Sequence, residues 1–154
     1  MNPRNLVRAA ELREACAAFT REVCAWIRRE GTGGRRVLVA GTEEFMYPTI
    51  TVGQALLREG LADTVRIHST TRSPIVAAAG ENYPLFCRAE IRSAYDPERT
   101  TYLYNLREYD RVLVLTDAPA PSPGLGDLYA ALHRAGNGRI TAVRWEYIGG
   151  QGKV

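Results

Sequence analysis

Two short apolar runs, each followed by a polar loop, constrain the fold of this chain more than any other feature. Residues 37–40 are apolar and rich in β-branched side chains, which predicts a strand buried on both faces. Residues 64–68 predict a second strand, and a helix from about 48 to 58 separates the two. The loops after parallel neighbouring strands open on one edge of a sheet, where α/β proteins bind ligands. We therefore expect residues 41–48 and 69–74 to share one crevice.

The rest of the chain completes an α/β pattern. Apolar residues recur at spacings of three and four from about Asn5 to Arg29, which predicts a long helix. Alternation in 64–68 places Val65 and Ile67 on one face of that strand and Arg66 and His68 on the other. Further elements are predicted as strands at 102–104, 111–115 and 140–145 and as a helix that starts at Pro123 after the N-cap Ser122.

This order implies a single α/β domain over residues 1–154, with a mostly parallel sheet and helices on both faces. Residues 75–100 show no sustained period and contain Gly80, Pro84 and Pro97. They predict a flexible insertion, with a short strand at 86–91. The tail from about 149 to 154 is expected to be frayed.

Composition argues against several classes of function, and RNA binding ranks lowest among the alternatives. The net charge of +3 suits a small anionic ligand and is too weak for nucleic acid, which usually requires a concentrated basic stripe. Three cysteines with no close pair indicate neither a disulfide framework nor a zinc site. No run approaches the roughly 18 apolar residues that span a membrane, and no signal peptide is evident, so a cytoplasmic protein is expected.

Four sequence motifs carry a resemblance to a known family. They are Gly41 to Pro48, His68 to Ile75 with its Thr-Arg-Ser-Pro run at 71–74, Tyr104-Asn105, and Leu113 to Asp117. On these motifs, from about residue 7 to 146, the chain resembles the TRSP domain family. The resemblance implies a phosphoribosyltransferase-associated, nucleotide-binding domain from bacterial gene neighbourhoods linked to tellurite resistance and stress. Members usually follow a transferase domain, and none precedes this one, so a separate transferase chain is the expected partner.

The layout is also similar to the type I phosphoribosyltransferase fold, which is Rossmann-like. A strand, loop and helix at 37–59 and a strand, Asp117, loop and helix at 112–134 carry this likeness. Pro119, Pro121 and Pro123 lack the N–H groups with which a phosphate-binding loop would act. Stand-alone transferase activity is therefore not expected.

The candidate site residues fall into two groups, each with a structural alternative. Arg72 is the candidate anion ligand, because its fork can bind phosphate in a bidentate manner; alternatively it forms an ion pair with Glu43 or Glu44. The carboxylates could act as bases, hydroxyl acceptors or Mg²⁺ ligands, or serve as helix N-terminal acids. The candidate catalytic residues are Glu43, Glu44, His68 and Asp117, and the candidate ligand-binding residues are Thr42, Tyr47, Ser69, Thr70, Thr71, Arg72, Ser73, Tyr104 and Asn105.

Structural roles also compete for the other candidates. His68 could be a strand-end residue bonded to backbone, Asp117 could form a turn, and the tyrosines could pack on the sheet. The leading hypothesis is a domain that binds a phosphorylated ribosyl or nucleoside-like ligand. The sequence does not determine the cofactor; Mg²⁺ is the candidate, and no residue is assigned as a metal ligand. The rival is a non-catalytic subunit that stabilises or regulates a transferase. An exposed apolar patch at residues 45–47 would favour the rival.

Overall fold

A computed structural model describes residues 8–31, 34–78, 80, 82–148 and 151–153. Within those ranges the chain forms three helices and eight strands. In chain order they are α1 (Ala9–Glu30), β1 (Gly34–Gly41), α2 (Met46–Arg58), β2 (Ala62–Ser69), β3 (Arg88–Arg92), β4 (Thr100–Tyr104), β5 (Arg111–Thr116), α3 (Pro123–Arg134), β6 (Ile140–Arg144), β7 (Glu146–Ile148) and β8 (Gln151–Lys153).

The main sheet has four parallel strands in the order β2-β1-β5-β6. Its central strands are the apolar ones: all six residues of β5 are buried, and Val39 of β1 lies between Ile67 of β2 and Leu113 of β5. Apolar runs on neighbouring parallel strands form a sheet that must be covered on both faces. The predicted mostly parallel α/β layout with helices on both faces is confirmed.

Helices α1 and α2 cover one face of the sheet. Their apolar stripes pack on Val37, Val39 and the equivalent residues of β5 in one core cluster. Phe19 of α1 stacks on Trp145 with ring centroids 4.9 Å apart, and both rings meet Phe45 edge to face. Helix α1 begins at Ala9, and the part of its predicted span before residue 8 lies outside the described residues.

Helix α3 and a hairpin made of β3 and β4 cover the other face. Ser122 accepts a hydrogen bond from the Leu125 N–H at 3.3 Å, so the predicted N-cap followed by Pro123 is present. In the first turn of α3, the backbone approaches the end of β3 so closely that a Cβ on Gly124 would lie 2.2 Å from the Ser93 carbonyl oxygen and 2.6 Å from that of Arg92. Only glycine allows this contact.

Two sequence-based expectations need correction. The insertion predicted at 75–100 contains β3, which starts at Arg88 instead of Phe86 and pairs antiparallel with β4 to form a hairpin. Within the described ranges, the two hairpin strands pair with each other and not with the main sheet, and the alternation at 100–104 buries Thr101 and Leu103. In the tail, residues 151–153 pair antiparallel with β7 where fraying was expected, and 149, 150 and 154 lie outside the described residues.

No helix in the described part of the chain is both long enough and apolar enough to cross a membrane.

Candidate functional site

A crevice of about 560 Å³ opens at the carboxyl edge of the parallel sheet, between the loops that follow β1 and β2. The two loops are joined by hydrogen bonds: the Glu43 N–H donates to Thr70 Oγ1 at 2.9 Å, and Ser69 Oγ donates to the Glu43 carbonyl at 2.8 Å. Parallel strands end at the same edge, so the shared crevice follows from the topology. Its lining residues are Glu43, Glu44, Ser69, Thr70, Thr71, Arg72, Ser73 and Pro74.

Arg72 forms an ion pair with Glu44 across the mouth of this crevice. The Nη2–Oε1 distance is 2.7 Å, and the two side chains are 58% and 51% exposed. The sequence allowed two structural ion pairs for Arg72, with Glu43 or with Glu44, and the structure has the second. Exposed pairs contribute about 0–1 kcal/mol to stability, so the pair leaves the guanidinium available to a competing anion.

Glu43 occupies a very different environment. Its backbone is left-handed, with φ at 47°, and its side chain is only 2% exposed. The carboxylate accepts hydrogen bonds from Ser93 Oγ and from Arg99 Nη2, the latter at 3.0 Å. A buried carboxylate persists only when it is paired and hydrogen-bonded. Glu43 is therefore held in place by the β3–β4 connection, residues 93–99, which is called the 93–99 turn below.

Asp117 is held by the same turn. The Tyr95 hydroxyl donates to Asp117 Oδ1 and lies 2.7 Å from Thr42 Oγ1, which in turn lies 2.8 Å from Thr116 Oγ1. Asp117 thus accepts a hydroxyl hydrogen bond. Thr42 is fully buried and does not line the crevice, and its predicted contact with a ligand stays a prediction.

Sequence reasoning did not single out Ser93, Tyr95 or Arg99. Ser93 and Arg99 lie 50 and 56 residues after Glu43, inside a segment without periodicity. The available signal was that hydroxyl and guanidinium side chains flank Pro97, but nothing local indicates which carboxylates they reach.

Six predicted site residues are not among those that line this crevice: besides Thr42 and Asp117, they are Tyr47, His68, Tyr104 and Asn105. Tyr47 is 43% exposed on α2, and Asn105 bonds to the backbone at Pro84 and Phe86. The Tyr104 hydroxyl donates to the Ser73 carbonyl at 2.6 Å and accepts from the Ile75 N–H at 2.7 Å, so it shapes the loop from behind. His68 lines a separate groove on β2, where burial and, secondarily, Arg66 lower the pKa of its imidazole.

Within the described ranges, no three His, Cys, Asp or Glu side chains are grouped so that they could hold a metal ion.

The fold and the crevice define the class: a small α/β domain with a parallel sheet and a polar site at its carboxyl edge. Residues 6–132 match the family model described as the TRSP domain C-terminal to PRTase_2, where PRTase is a phosphoribosyltransferase. The match covers well over half of the 154 residues, so the chain belongs to the TRSP domain family, a phosphoribosyltransferase-associated domain. Comparison with curated proteins found no match, and neither did comparison with solved structures.

Proposed function

We propose that the crevice binds a phosphorylated ribosyl or nucleoside-like ligand, and that the domain acts with a phosphoribosyltransferase to make or process a nucleoside-like metabolite. The observation that carries the proposal is the composition of the crevice. An arginine and four hydroxyl side chains come from one loop, and two carboxylates come from the other. A bacterial role in tellurite resistance or stress belongs to the same proposal and is supported only by the family resemblance.

The anionic group of the ligand would bind at Arg72. Its side chain is 58% exposed, its guanidinium reaches Glu44 at the crevice mouth, and Thr71 and Ser73 flank it in the chain. A charge-assisted hydrogen bond contributes roughly 1.5–3 kcal/mol, which exceeds the 0–1 kcal/mol or so of an exposed ion pair. A phosphate can therefore replace Glu44 as the partner of Arg72.

The sugar hydroxyls of the ligand would meet Glu43 and Asp117. In the structure, hydroxyl groups of Ser93 and Tyr95 already donate to these two carboxylates. A ribose hydroxyl has the same donor chemistry, so it can substitute for either one if the 93–99 turn moves aside. We propose binding without stand-alone transfer, because prolines replace the N–H donors after β5.

Calorimetric titration tests this proposal. Phosphoribosyl pyrophosphate and nucleoside monophosphates, with and without Mg²⁺, are titrated into the wild type, Arg72→Ala and Arg35→Ala. Arg35 is a matched control, because it also forms an exposed ion pair, with Asp63 at 3.2 Å, at the opposite edge of the sheet. We expect Arg72→Ala to weaken binding by about 10–100-fold and Arg35→Ala to leave it unchanged. Equal affinity in all three proteins removes Arg72 from the site.

The second candidate function is that of an interaction subunit for a transferase. The apolar patch expected at 45–47 does not form, because Phe45 is 2% exposed. Apolar side chains are exposed instead on the loop before β3, where Val76 is 69%, Phe86 48%, Ile75 44% and Tyr83 41% exposed. Several exposed apolar side chains on one loop are typical of a surface that contacts another protein.

Pull-down with a PRTase_2 domain separates the two functions. Val76→Ser changes the most exposed of these residues and leaves the crevice intact. If the interaction function is correct, Val76→Ser reduces capture of the transferase while ligand affinity stays constant. Retention of the wild-type level of capture contradicts a role for this loop.

A further inference from the structure

The outward face of β2 borders a groove that is separate from the crevice. Val65 and Ile67 point toward α2, and the alternate side chains Arg66 and His68 point to the opposite face. On that face α3 and the β3–β4 hairpin cover the neighbouring Leu38 and Ala40 of β1. Beside them a groove of about 490 Å³ is lined by Arg36, Thr64, Arg66, His68, Phe86, Asn105, Arg107, Glu108 and Tyr109.

The groove carries an excess of positive charge. Arg36 is paired with Asp110 at 3.3 Å, which leaves Arg66 and Arg107 against one carboxylate, that of Glu108. Among the described residues, Arg66 has no ion-pair partner, although it is exposed on the strand. An arginine without a protein partner in a concave surface is suited to bind an anion through its planar fork.

A flat aromatic surface lies in the same groove. The guanidinium of Arg107 lies 5.1 Å from the centroid of the Phe86 ring, and Phe86 is 48% exposed. The cation–π contact holds the two planar groups together. Exposed arginine and aromatic planes of this kind are surfaces on which another ring can stack.

Two neutral polar groups complete the lining. Burial lowers the pKa of the His68 imidazole, and the charge of the nearby Arg66 lowers it further. The ring is therefore neutral near pH 7 and has one donor and one acceptor nitrogen. Burial raises the pKa of the Tyr109 phenol, while Arg66 and Arg107 both act to lower it. Both arginines line the groove together with this phenol.

We propose that this groove binds a small ligand in which an aromatic ring carries a phosphate or carboxylate group. Arg66 pairs with the anion, and the ring stacks on the surface formed by Phe86 and Arg107. His68 supplies a hydrogen bond to the polar edge of the ligand. The groove and the crevice share no lining residue, so this inference does not depend on the function proposed for the crevice.

Proton NMR of the imidazole groups tests the proposal directly, because the chain has only two histidines, His68 and His133. A His133→Asn variant assigns the His68 signal. Two probes combine an aromatic ring with an anion: adenosine 5′-monophosphate carries a phosphate and benzoate a carboxylate. Adenosine carries the ring alone and inorganic phosphate the anion alone. We expect a saturable shift of the His68 signal with at least one of the first two probes, and at least tenfold weaker saturation with adenosine and phosphate.

Variants locate the binding. Arg66→Gln and Phe86→Ala are both surface changes, and each is expected to weaken the response of His68 by about tenfold. Arg58→Gln, an exposed change on α2 at the other face of the sheet, serves as the control and should leave the response unchanged. The inference is overturned if neither probe gives a saturable shift, if the single-feature probes bind as tightly, or if the response is lost in Arg72→Ala and kept in Arg66→Gln.

Discussion

Replacing Arg99 by methionine should destabilise the domain more than removal of any exposed arginine. Arg99 pairs at 3.0 Å with Glu43, whose side chain is 2% exposed, so the variant leaves a carboxylate buried without its cation. Breaking a buried pair typically costs 3–5 kcal/mol. Arg99 itself is 35% exposed, and water can partly solvate the site, so we expect a loss of about 2–3 kcal/mol.

Arg28→Met is the matched control. Its ion pair with Glu59 is shorter, at 2.6 Å, but the side chains are 57% and 35% exposed. Because burial and not distance sets the magnitude, the control should lose less than about 1 kcal/mol.

Urea unfolding followed by tryptophan fluorescence measures both losses. A double-mutant cycle with Glu43→Gln should give a coupling energy of about 1–3 kcal/mol between Glu43 and Arg99. Equal losses in Arg99→Met and Arg28→Met, with no coupling to Glu43, would refute the assignment of Arg99 as the partner of a buried charge.

Three further predictions follow from packing and titration. Gly124→Ala places a Cβ 2.2 Å from the Ser93 carbonyl and should lower the free energy of unfolding by about 1–3 kcal/mol. A Cβ on Gly126 would meet nothing within 4 Å, so Gly126→Ala should raise the free energy of unfolding by about 0.5–1 kcal/mol in the same urea assay. The pKa of His68 is lowered from 6.5 in the folded state, so the unfolded chain binds more protons at acidic pH. The free energy of unfolding should therefore fall as the pH drops below about 6.5. His68→Gln should reduce the difference in unfolding free energy between about pH 8 and about pH 5. Burial raises the pKa of the Cys16 and Cys24 thiols to about 11, so at pH 8 a thiol reagent should modify Cys87 first, as mass spectrometry of each peptide would show.

Local patterns predicted the parts of the fold that local physics determines. The apolar runs in β1 and β5 predicted these strands, because a strand buried on both faces has apolar residues at successive positions. The alternation in β2 places Ile67 and Arg66 on opposite faces, as expected. The predicted convergence of the loops after β1 and β2 follows from strand direction alone. The role of that crevice in binding stays a prediction.

Contacts between distant parts of the chain could not be predicted. Ser93 and Tyr95 come from a segment without periodicity, and whether they reach Glu43 and Asp117 depends on how the β3–β4 hairpin docks. The docked hairpin packs Ile91 and Leu103 into the core and passes close to Gly124, and no pattern in either segment reveals these contacts. The alternation predicted the face of β2 on which His68 lies, but it could not show that this side chain lines a groove separate from the crevice.

The internal hydrogen bonds of the crevice decide which feature of a ligand can supply affinity. A sugar hydroxyl that binds Glu43 or Asp117 only replaces a hydroxyl of Ser93 or Tyr95, so this exchange contributes little net free energy. A phosphate at Arg72 replaces an exposed pairing with Glu44 that is worth no more than about 1 kcal/mol, so it retains a net gain. Ribose 5-phosphate should therefore bind, and ribose at the same concentration should not. Equal binding of the two sugars would show that Arg72 is not the source of affinity.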